Sequence, residues 1–97
     1  MAKGYWVVHV EVSDPEGYES YRAAVGPALA GFGGRFIVRG GAQEVREGTS
    51  RPRTVVVEFP SPEDARACYD SPAYSAARAL REAAARADLV IVEGVED

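Results

Sequence analysis

The 97 residues describe one small domain, and 46% hydrophobic with 27% charged residues exclude a mainly disordered chain. The balance of 15 acidic against 11 basic residues gives a net charge of −4, and the nearest thing to a basic cluster, Arg46, Arg51 and Arg53, is interleaved with Glu44 and Glu47, so nucleic acid is not an expected partner. The apolar runs at 55–57 and 89–92 are far short of the roughly 20 residues of a membrane span, and MAKGYW has no apolar stretch of a signal peptide, which predicts a cytoplasmic protein with no membrane partner.

Residues 4–12, GYWVVHVEV, alternate in polarity and predict a half-buried strand, with Trp6, Val8, Val10 and Val12 on one face and Tyr5, Val7, His9 and Glu11 on the other. An amphipathic helix follows: Asp14 is placed to cap it, Pro15 suits its first turn, and Tyr18, Tyr21, Val25, Leu29 and Phe32 recur at helical spacing. Gly26 and Pro27 predict a kink or break near Val25, and Gly33 and Gly34 the stop. RFIVRG is the second strand, and GAQEVREGTSRPR a polar connection with room for a short strand at Ala42 to Arg46. TVVVEF at 54–59 is the third strand.

SPED at 61–64 predicts a capping box, with Ser61 as cap, Pro62 in the first turn and Asp64 reaching back. That helix is expected to run to about Tyr69, where DSP interrupts it and Ser71 caps a second helix through AYSAARALREAAARA. DLVIVEG at 88–94 is the last strand, of unassigned facing, and the acidic tail after it is expected to be mobile. Cys68, the sole cysteine, rules out an intrachain disulfide and a Cys-rich zinc site, and reads as a small buried hydrophobe rather than a nucleophile.

The order β-α-β-β-α-β, with two halves that each run strand, cap, proline and helix, predicts an α+β domain over residues 1–97. It is the ferredoxin-like arrangement, a four-stranded antiparallel sheet of strand order 4-1-3-2 with helices on one face and the other face open. Period-two alternation turns Phe36, Val38, Val55, Val57 and Phe59 toward the helices and puts Ile37, Arg39, Val56 and Glu58 on the open face with His9. Val7, Ile37 and Val56 there make an association surface, and a short chain that buries only about 60–65% of its surface gains from self-association.

A cavity lined by His9, Arg39 and Glu58 between two such faces is the site expectation. Arg39 would clamp an anion, and His9 and Glu58 would move a proton. Gly40 would let the strand turn or a ligand approach closely, and Tyr74 and Arg78, one turn apart on a helix, would gate the mouth. A metal site lacks a second histidine, no G-x-G-x-x-G joins a strand to a helix, and no cofactor is expected.

GYWVVHVEV, FIVRGG, RPRTVVVEFPS, YDSPAYSAAR and ADLVIVEG, in this order from Gly4 to Gly94, resemble the bacterial Domain of Unknown Function 1330 family. The resemblance implies a ferredoxin-like dimeric α/β-barrel and brings no established activity; related barrels include cofactor-free monooxygenases, isomerases of small acids and haem-degrading enzymes. Two functions fit: a homodimer binding a small anionic organic molecule, with catalysis undecided, or a non-catalytic dimeric accessory or interaction module whose charges fix the register of two subunits.

Overall fold

The structure, a computed structural model, describes residues 1–96; Asp97, the end of the tail expected to be mobile, lies outside the described residues. Strand β1 (Gly4–Val12) is followed by α1 (Pro15–Ala30), β2 (Arg35–Arg39), β3 (Arg53–Phe59), α2 (Pro62–Asp70), α3 (Pro72–Ala84) and β4 (Ala85–Glu93). The sheet is antiparallel with order β2-β3-β1-β4, the predicted order, and the helices lie on one of its faces.

The alternation in β1 and β3 holds: Trp6, Val8, Val10, Val55, Val57 and Phe59 are buried against Tyr18, Val25, Leu29, Ala65, Cys68, Tyr74 and Ala77 of the helices. Trp6 is at the centre, its ring against Phe59, Tyr69 and Tyr74 at centroid distances of 5.1, 6.0 and 4.7 Å, and its indole N–H donates to the Ala65 carbonyl at 3.0 Å. Cys68 is fully buried as predicted, and burial pushes its thiol up to about 11, so it stays protonated.

Four local expectations change. Helix α1 is not broken near Val25; Pro27 lies inside it, and Ala23, whose carbonyl loses its donor there, is exposed to water. Asp14 holds the N-cap position but makes no side-chain cap bond. The connection over 40–52 contains no strand. Helix α3 stops at Ala84 and β4 begins at Ala85, earlier than the sequence indicates, because the Ala84 carbonyl accepts from the Ser13 N–H, the Asp14 N–H and the Ser13 hydroxyl at 2.9, 2.9 and 3.0 Å. From Ala85 on, ladder bonds to Val12 and Glu11 of β1 override the helix propensity of the alanine run.

The two C-terminal helices share one residue. Ser71 ends α2, donating its hydroxyl to the Cys68 carbonyl at 2.7 Å, and starts α3, accepting the Tyr74 N–H at 3.2 Å. At 8% exposure water replaces neither bond, so Ser71→Ala is expected to lower stability by about 2 kcal/mol. Ser61 accepts the Asp64 N–H and donates to the Asp64 carboxylate at a part-buried end, so Ser61→Ala is expected to cost about 1 kcal/mol. Urea denaturation of both variants checks the ranking.

Candidate functional site

Strand β2 carries a β-bulge. Phe36 pairs with Val57, but the next pair is Val38 with Val56, so Ile37 is an extra residue in the ladder. One extra residue inverts the alternation. Val38 therefore goes to the open face, 41% exposed, and Arg39 pairs with the inward-facing Val55 and turns to the helix side. Its guanidinium lies 4.2 Å from the centroid of the Phe36 ring. The expectation that Arg39 stands on the open face beside Glu58 is thus corrected.

On the helix side Arg39 joins Arg22 of α1, Arg53 of β3 and Arg81 of α3 around a cleft floored by Trp6, Val8, Val10, Val55 and Val57 and walled by Tyr18, Tyr21 and Phe36. Each of three guanidiniums rests on an aromatic ring: Arg39 on Phe36, Arg53 on Tyr18 at 5.6 Å, Arg81 on Tyr21 at 5.9 Å. Gly40, with a φ of 72°, lies directly against the Arg53 guanidinium, where any Cβ would collide with it. The positive φ is what favours glycine after Arg39, and a side chain there would also push the Arg53 guanidinium aside.

The charges in this cleft are unbalanced. Arg22 pairs with Glu19 at 2.9 Å, whereas among the described residues Arg39, Arg53 and Arg81 form no ion pair. Arg81 is 7% exposed, and the Nε atoms of Arg81 and Arg53 are buried without a hydrogen-bond partner. An unpaired buried ion costs several kcal/mol, so Arg81 in particular is held there at a cost to stability. The Tyr21 hydroxyl shares a 3.4 Å hydrogen bond with Tyr74, and burial, reinforced by Tyr74, raises its pKa far above the ordinary phenol value. Tyr21 is therefore a neutral hydroxyl in the wall.

The other predicted residues are dispersed. His9 and Glu58 are on the open face, but their cross-strand partners are Thr54 and Tyr5, four positions apart along the ladder, about 13 Å at strand spacing. His9 Nδ1 meets Thr54 Oγ1 at 3.1 Å and Ser50 Oγ at 3.4 Å. Those hydroxyls donate to the Gln43 side chain and the Arg51 carbonyl, so the proton between them belongs to His9 Nδ1. Glu58 accepts from Arg35 at 3.0 Å, Lys3 at 3.4 Å and Tyr5 at 3.3 Å; the Arg35 bond is the main cause that holds its carboxyl below the usual range. Arg35 takes the part expected of Arg39. Tyr74 is wholly buried in the aromatic core and stands at no mouth, and Arg78 donates to the Tyr69 hydroxyl at 2.8 Å outside the cleft lining.

Arg22 and Arg81 were not singled out from the sequence and Arg53 was weighed only as part of a basic cluster, yet Arg53 and Arg81 break an apolar pattern and Arg22 borders one. Arg53 has the inward parity of Val55, Val57 and Phe59; Arg81 continues the buried series Tyr74, Ala77 and Ala84; Arg22 falls between Tyr18 and Val25. An arginine at a core position is the signal.

The sequence matches the family described as Domain of unknown function (DUF1330) over residues 3–95. The chain belongs to this family. Among solved structures, the RPA0582 protein of unknown function from Rhodopseudomonas palustris superposes with a TM-score of 0.79 at 18% identity, over 99% of this chain and 85% of that one. SnoaB, a cofactor-independent oxygenase from Streptomyces nogalater, does so with a TM-score of 0.66 at 14% identity, over 100% and 97%. No curated protein matches the sequence. These likenesses establish the ferredoxin-like α+β fold. No helix among the described residues is long and apolar enough to cross a membrane.

Two outcomes follow for this DUF1330 chain. Arg81→Met removes an unpaired buried charge and keeps the apolar volume, so the ligand-free protein is expected to gain about 1 kcal/mol or more in urea denaturation. Glu58 has a lowered pKa, so its contribution is present above the ordinary carboxylate range and lost as pH falls through its folded-state pKa. Glu58→Gln is expected to flatten that acid limb of the stability curve and to leave its alkaline limb in place.

Proposed function

We propose that the chain acts as a homodimer and binds a small anionic organic molecule between its sheet and its helices. Arg39, Arg53 and Arg81 hold the anionic group, Arg22 stands at the edge, and Gly40 leaves room for the Arg53 guanidinium. The observation that carries this reading is the set of guanidiniums without carboxylate partners over an apolar and aromatic floor. Arginine is suited to it, because its planar fork meets carboxylates and phosphates and its faces stack on rings. The lining contains no His, Asp, Glu, Ser or Cys, so it is equipped for holding a ligand rather than for relaying a proton at neutral pH. That a cofactor-independent oxygenase has the same fold is compatible with a small-molecule role.

The open face supports the dimer. Val90 and Val92 are 56% and 46% exposed beside Val7, Val56, Ile37 and Val38, an apolar band that a second sheet would cover. The band has charged ends: Glu58 with Lys3 and Arg35 at one, Arg51 bridging Glu11 and Asp88 at 3.3 and 2.9 Å at the other. In this reading His9 and Glu58 belong to the subunit contact. One observation favours the alternative of a non-catalytic accessory dimer: the closed cleft has about 20 Å³ for water centres, room for about one water. Ligand entry then requires Arg39 and Arg22, both exposed at the edge, to swing out.

Sedimentation velocity checks the assembly: wild type is expected as a dimer and Val90→Asp as a monomer. Thermal unfolding with millimolar small carboxylates or phosphate checks the ligand. A rise of several degrees in wild type, lost in Arg39→Ala and Arg53→Gln, is expected; no rise with any anion would leave the accessory reading standing.

A further inference from the structure

We infer that the preferred occupant of the arginine cleft is a dianion, a phosphate monoester or a dicarboxylate, rather than a monoanion; the inference rests on the proposed anion site and names its ligand class. The argument is a count of charge and hydrogen-bond donors. Arg53 and Arg81 each bury an Nε with no partner, and neither has a carboxylate among the described residues. Arg39 and Arg22 are exposed at the edge, and water screens them. The cleft therefore holds two positive charges without a carboxylate partner, Arg81 buried and Arg53 half-buried. A monoanion leaves one of them bare in a low-dielectric site, whereas a dianion neutralises both.

The donor count agrees. The polar groups of the lining are arginine N–H groups and tyrosine hydroxyls, while the Trp6 N–H is spent on Ala65 outside the cleft. A group entering here meets donors almost everywhere, so it must present acceptors. A phosphate monoester oxygen cluster does this, and so do two carboxylates; an amine or a neutral polyol does not. Arg53 and Arg81 face the same cleft, which favours one group carrying both charges over two separate monoanions.

Isothermal titration of the full chain tests it with two pairs of probes that differ by one methyl ester: methyl phosphate against dimethyl phosphate, and malonate against its monomethyl ester. All are measured at pH 8 and matched ionic strength, where the first member of each pair is a dianion. The dianion of at least one pair is expected to bind at least tenfold tighter than its ester, at one per chain, and the tighter pair separates a phosphate from a dicarboxylate ligand. Arg53→Gln and Arg81→Met are expected to reduce that preference below threefold, with circular dichroism confirming that each variant is folded. Equal binding within both pairs, or two monoanions per chain, would overturn the dianion and leave the anion site intact. An undiminished preference in both variants would overturn the assignment to these arginines. No binding of any of the four probes would overturn the site itself.

Discussion

The bond from the Trp6 indole to the Ala65 carbonyl fastens the centre of the sheet to α2, and much of the interior is arranged around it. With the donor satisfied, the ring can be buried completely, and Phe59, Tyr69 and Tyr74 pack on it in tilted and edge-on contacts. Tyr74 then meets Tyr21 across α1, and Tyr21 is the ring beneath Arg81. A chain of contacts runs from the aromatic core to the deepest guanidinium of the cleft. The geometry of the site is thus inherited from core packing, on helix and strand positions rather than on loops.

The two faces of the sheet treat charge in opposite ways. On the open face, basic groups meet carboxylates: Arg35 and Lys3 at Glu58, Arg51 at Glu11 and Asp88. These pairs lie at the two ends of the apolar band, which is exposed between them. On the helix face, in a chain whose net charge is −4, Arg39, Arg53 and Arg81 gather without carboxylate partners among the described residues. Negative charge is in excess over the rest of the chain, while the cleft gathers positive charge at one place.

The element order, the strand order and the inward faces of β1 and β3 were legible because hydrophobic alternation and turn signals agree over those stretches. Ser71 as a cap was legible from its place before Pro72. The location of Arg39 was not, because alternation carries parity only as long as the ladder is regular, and Ile37 interrupts it without a glycine or proline to announce the bulge. The early start of β4 was hidden by an alanine-rich stretch whose local preference is helical. The grouping of His9 with Glu58 failed for a simpler reason: a shared face says nothing about separation along the strands. Arg53 and Arg81 were readable as charges in core positions, a pattern error that marks a site.

The composition of the cleft lining has a bearing on any titration of its occupancy. Arginine does not lose its proton in proteins, and burial moves the Tyr21 phenol further from neutrality. No side chain in the lining is of a type that ordinarily changes charge between about pH 5 and 8. The pocket is therefore an electrostatically constant environment across that interval. Were an anion bound there, an inflection in its affinity over that interval would read the ionisation of the guest rather than of the lining.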